Sequence, residues 1–109
     1  MKSAIRTTIA MAALLGAALP AAGAEPEGKE VFDRYCIHCH GPGNETPGTL
    51  QLARTRGKEL ALLTERTDLA PEYIRHVVRH GLRSMPAFVP SELTDAHLEA
   101  LVRYLTAGR

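Results

Sequence analysis

Cys36-Ile37-His38-Cys39-His40 gathers two thiols and two imidazoles into five residues. Thiols three positions apart at the end of a helix can reach the two vinyl groups along one side of a porphyrin. The adjacent His40 is then drawn under the iron, where an imidazole nitrogen can serve as the proximal ligand. This C-x-x-C-H spacing reads as a haem c attachment signature. A redox-active disulfide pair is the first rival, but it calls for a βαβ context, and the sequence shows no alternating strand. A zinc site is the second. Cys36, Cys39 and His40 offer three ligands, and no second Cys/His cluster follows at finger spacing.

Haem iron in an electron carrier takes a sixth ligand, usually Met or His. Met85, His38, His76, His80 and His97 are the candidates. Met85 is preferred because it sits in Leu82-Arg83-Ser84-Met85-Pro86-Ala87-Phe88, a loop in which Pro86 fixes the backbone beside the thioether. His38, between the cysteines, reads as a solvated surface residue. His76 and His80 stand at i, i+4, a spacing able to hold a metal, yet no carboxylate or cysteine completes a set, so an exposed helical face is expected. Arg75 and Arg79 share a side of the same helix. They suit an acidic partner or a propionate, and equally a helix C-terminus whose dipole favours cations. Arg83, two residues from Met85, is the best propionate candidate, with Tyr73 and Phe88 as pocket or core residues.

The elements that must position these groups read as four helices separated by Gly and Pro, which makes the chain all-α. The first runs from about Glu27 to Cys36, with Val31, Phe32 and Tyr35 apolar. An irregular loop follows through Gly41-Pro42-Gly43 to Pro47-Gly48. A short helix from about Thr49 to Arg56 ends at Gly57, and Leu60 to Glu65 adds a turn or two. Pro71 opens the third helix, with Ile74, Val77 and Val78 as its stripe and Gly81 as its stop. Thr94 caps the last, Leu93 staples to Leu98, and Leu98, Leu101, Val102 and Leu105 form its buried face.

Residues 1–24 read as a leader for export. Lys2 and Arg6 precede an apolar stretch from Ile9 to Leu19, and Ala22-Gly23-Ala24 supplies a small-x-small cleavage site. The stretch is short for a bilayer span, which needs about 20 residues. Residues 25–109 are then the single folded domain, soluble in the periplasm without stable membrane insertion. The whole chain carries 13 basic and 12 acidic residues. Losing Lys2 and Arg6 makes the domain mildly acidic, which speaks against a nucleic-acid partner. The domain has no Trp and only two Phe. A core so short of large side chains gains from a flat apolar macrocycle at its centre.

The order helix, C-x-x-C-H, irregular loop, helices, Met-Pro loop, terminal helix resembles class I cytochromes c. The resemblance implies a small fold of about four helices around one covalent haem. It also implies a crossing of the first and last helices through Gly28, Phe32, Leu101 and Tyr104, and a Pro47 carbonyl that accepts the second ring proton of His40. The run from Leu69 to Arg75, then Val78 to Phe88, with the C-x-His-C-His form of the motif, is similar to the cytochrome subunits of p-cresol methylhydroxylase and its relatives. The chain departs from them between Thr49 and Asp68, where it looks longer. That likeness implies a non-catalytic carrier taking single electrons from a flavoprotein dehydrogenase acting on alkylphenols. A freely diffusing shuttle to a respiratory oxidase or reductase is the alternative, and a haem sensor with an open iron position a third.

Overall fold

A computed structural model describes Gly16 and residues 26–107. The expected leader apart from Gly16, and Gly108, lie outside the described residues. Five helices follow in order: α1 (Gly28–Tyr35), α2 (Ile37–His40), α3 (Pro47–Arg56), α4 (Pro71–His80) and α5 (Asp95–Thr106), with two 3-10 turns (Lys58–Leu60 and Leu63–Glu65) between α3 and α4. No strand occurs among the described residues, only an isolated bridge between Leu82 and Met85. None of the described helices is long and apolar enough to cross a membrane.

The core lies where α1 and α4 pack on α5. Val31, Phe32, Ile74, Val78, Leu93, Leu98, Ala100, Leu101, Val102 and Leu105 are all buried there. Burying each of the larger side chains contributes about 1.5–3 kcal/mol. The α1–α5 crossing depends on Gly28. A methyl group there would stand 2.2 Å from the Ala100 carbonyl oxygen and 2.4 Å from Tyr104 Cβ. Above this contact the Phe32 and Tyr104 rings meet at 5.9 Å between centroids, tilted by 52°. Leu101 is buried in the same core, as expected of the crossing.

Helix α5 begins as its sequence implies. The Thr94 hydroxyl accepts from the His97 amide at 3.2 Å, and Leu93, fully buried, shares the core with Leu98. One boundary differs: Pro47 and Gly48 are not loop but the first turn of α3. Pro47 stands where a missing N–H costs nothing and its fixed φ already suits a helix. The Cys36–His40 motif is also wound, with Cys36 ending α1 and opening α2.

Arg75 and Arg79 serve the packing of α4 on α5. Arg75 makes a two-pronged bond to Glu99 at 2.7 and 2.8 Å. Arg79 donates to the Phe88 and Leu93 carbonyls at 2.9 and 2.8 Å and to Asp95 at 2.6 Å. Arg79 stands in the last turn of α4, as the helix-dipole reading expects. Both arginines also staple α4 to α5, Arg79 tying down the loop that carries Met85 as well.

Candidate functional site

A cavity partly open to solvent lies beside the core. Every helix contributes to its walls, α2 through His40, and so do the segments between them. Phe32, Ile74, Val77, Val78, Leu101 and Leu105 form its floor. Leu52, Leu63 and Leu69 close it from the middle of the chain, and Cys36, His40, Tyr73, Leu82, Met85 and Arg66 complete it.

The motif reaches this cavity because it is helical. The Cys39 and His40 amides donate to the Cys36 carbonyl at 3.1 and 2.9 Å, and the Gly41 amide donates to the Ile37 carbonyl at 2.7 Å. Residues four apart on a helix share a face, so Cys36 and His40 both line the cavity while Cys39 is exposed. Burial, reinforced by Cys39, pushes the Cys36 thiol up to about 12. Burial also lowers the His40 pKa, favouring the neutral ring whose lone pair can bind a metal.

Helix α3 presses on His40 through Gly48. A methyl group there would fall 2.9 Å from His40 Cε1 and 3.0 Å from Nδ1. The Thr49 hydroxyl donates to the Gly41 carbonyl at 2.8 Å, tying the start of α3 to the end of α2. The expected bond from His40 to the Pro47 carbonyl is not formed, since His40 Nδ1 is buried without a hydrogen-bond partner. As the first helical residue, Pro47 turns its carbonyl along the axis of α3.

Met85 enters from the loop between α4 and α5. The Leu82 amide donates to the Met85 carbonyl at 3.1 Å, and the Met85 amide donates back to Leu82 at 2.9 Å. This tight turn places Arg83 at φ 54°. The Phe88 amide donates to the Val78 carbonyl at 2.8 Å, fixing the far end of the loop on α4. The half-buried Met85 thus faces the same cavity as His40.

Of the residues expected at the site, Cys36, His40, Met85 and Tyr73 are brought together. Cys39 belongs to the same turn but faces outward. Arg83 is exposed and is not among the lining residues, because the tight turn presents it to solvent. Phe88 also lies off the lining, its ring packed edge-on against Tyr35 at 6.2 Å. Phe88 is therefore a core residue supporting the loop. Pro47 lies outside the lining as well. Sequence reasoning missed Arg66, whose side chain is only 11% exposed and makes a two-pronged bond to Asp68 at 2.8 and 2.7 Å. Its signal was a cation between Leu63 and Leu69, in a segment otherwise supplying leucines to the wall.

A family model described as cytochrome c oxidase, cbb3-type, subunit III, matches residues 23–105. The chain belongs to this cytochrome c family. It is 34% identical over 80 residues to the 4-cresol dehydrogenase (hydroxylating) cytochrome c subunit of Pseudomonas putida, a match covering 73% of this chain and 58% of that relative's length. Two crystal structures of p-cresol methylhydroxylase, one with substrate bound, contain a similar chain. Each has 31% identity and a TM-score of 0.54, and the matches cover 76% of this chain and 93% or 94% of the other.

Cytochrome c membership implies haem and electron transfer, and the residues of the cavity fit that group. The wall is overwhelmingly apolar, as a macrocycle requires. A buried histidine favouring its neutral form stands at one side. A thiol and a thioether are the other soft donors lining it.

Proposed function

We propose that this chain is a one-electron carrier that holds a single haem covalently through Cys36 and Cys39, with His40 and Met85 as axial ligands. The observation that carries this reading is the convergence of Cys36 and His40 with Met85, which is far from them in sequence, on one apolar cavity. Bound there, haem supplies an iron that alternates between ferrous and ferric states. The chain's own residues set the conditions. Cys36, which lines the cavity, and the exposed Cys39 of the same turn would anchor the haem. Gly48 and the Thr49 bond limit the swing of His40, and the turn closed by Leu82 and Met85 holds the thioether. A thioether ligand favours the reduced ion and raises the potential. Two ligands held by packed elements leave no position for a substrate, so the chain carries electrons and catalyses nothing itself.

Residues 1–24 are proposed to direct export to the periplasm and to be removed there. The electron donor is proposed to be a flavoprotein dehydrogenase acting on an alkylphenol, with this chain as its cytochrome subunit. The likeness to the 4-cresol dehydrogenase and p-cresol methylhydroxylase chains supports that assignment.

Acidified-solvent extraction and a redox titration test the haem assignment. Replacing Met85 by Ala should leave haem attached, lower the potential and allow the ferrous protein to bind carbon monoxide. An unchanged potential with an unchanged ligand-field spectrum would rule out Met85. Replacing both Cys36 and Cys39 by Ser should make haem extractable. Purification of the native protein tests the partner, since a subunit brings its flavoprotein with it and a shuttle elutes alone.

A further inference from the structure

The electron-transfer reading uses one face of α4 and leaves the other unexplained. Ile74, Val77 and Val78 line the cavity, and Arg75 and Arg79 reach toward α5. The outward face carries His76 and His80, both exposed. Their rings lie 4.4 Å apart between centroids and only 23° from parallel. His80 Nδ1 is 2.9 Å from the His76 carbonyl oxygen. A carbonyl has no proton to give, so Nδ1 must carry the hydrogen, which leaves the lone pair of the neutral ring on Nε2. This arrangement, in which one ring nitrogen donates to a backbone carbonyl and the other is free, is the one that orients histidines for metal ligation.

We propose that His76 and His80 form a surface chelate for a divalent transition-metal ion, separate from the haem cavity. Two imidazole nitrogens bound to one ion at about 2.0–2.1 Å each stand about 3 Å apart in a right-angled chelate. Rings already stacked at 4.4 Å reach that spacing by tilting toward each other, with no change in the helix. The two arginines on α4 that neighbour the pair are bonded to Glu99 and Asp95, so their charge is offset on the α5 side. Glu72 lies one turn before His76 on the same face and favours a cation. Among the described residues no third His, Cys, Asp or Glu side chain joins the pair, so water completes the coordination shell. Nitrogen donors select against calcium and magnesium, which take oxygen ligands. Among first-row ions they rank copper(II) above nickel(II) and zinc(II).

Calorimetric titration of the haem-loaded ferric protein with copper(II), then with nickel(II), tests the site. One ion per chain should bind, copper more tightly than nickel. His76→Ala and His80→Ala should each weaken binding by about tenfold or more, roughly the loss of one good ligand bond. His38→Ala, altering an exposed histidine of the haem motif, should leave it unchanged. Both α4 positions are exposed, so the variants should keep the parent circular dichroism and haem spectrum. Saturable binding undiminished in the double variant would overturn the proposal, and so would the absence of one-to-one uptake by the parent chain.

Discussion

The two sides of α5's packing partners make different kinds of interior. Where α1 crosses α5, Gly28 lets the backbones touch and the Phe32 and Tyr104 rings meet, so that contact is made by protein atoms alone. On the other side, α3, the two 3-10 turns and the Met85 loop surround a cavity, and His40 Nδ1 is buried with nothing to bond. The first region specifies how the chain folds. The second specifies what the fold is for in the proposed reading, where a large apolar group between its walls would complete their packing.

That contrast can be broken most forcefully by withholding haem. A domain this small buries little surface of its own, so the haem-free chain should lose most of its cooperative unfolding transition. Hydrogen exchange should become fast in Pro47–Glu65 and stay slowest at the α1–α5 crossing. Equal exposure of both regions would show that the crossing is not independent of the cavity.

Within the complete side, Leu98→Ala should destabilise the haem-loaded protein by about 2–5 kcal/mol in chemical denaturation, without shifting the potential. Arg79→Ala probes the seam between the two sides. It removes the donor shared by the Phe88 and Leu93 carbonyls and should cost about 1–3 kcal/mol. Arg79→Lys should restore only part of this, because an ammonium lacks the planar fork. Should Arg79→Ala leave both stability and haem spectrum untouched, the loop carrying Met85 is held by other means.

The smallest effect expected is a pH dependence. The bond from Arg75 holds the Glu99 carboxyl below its ordinary value, with charge attraction adding to it. A depressed folded pKa gives stability that is fully present above the unfolded value of about 4.3. It is lost as pH falls through the lower folded value. Both side chains are substantially exposed, so solvent screens the pair and the change should be slight. Glu99→Gln should flatten that part of the acid stability profile, and an unaltered profile would show that the pair contributes nothing.

Much of the complete side was legible in the sequence. The stripe Leu98, Leu101, Val102 and Leu105, the Thr94 cap and the Leu93 staple follow from helical periodicity and capping chemistry, which are local. Cys36, His40 and Met85 were legible because their spacing and their neighbour Pro86 carry chemistry. Arg83 and Arg66 were not, and for Phe88 pocket and core stayed open, because whether a side chain faces a cavity depends on a turn such as Leu82–Met85, whose direction only tertiary bonds decide. Pro47 was placed in a loop because a proline followed by a glycine reads as a breaker. Its position at the first turn of α3 is equally natural and cannot be chosen without the packing of Gly48 on His40.

The winding of Cys36–His40 into α2 has one more consequence. A helix turns by about 100° per residue, so His40 lies nearly above Cys36 because four residues separate them. The motif is therefore an angular instruction as much as a distance. One residue inserted between Cys39 and His40 would barely lengthen the segment, yet it would swing the imidazole to the far side of the turn, away from the cavity. On the proposed reading both thiols would still hold the haem, but the imidazole would no longer share its cavity.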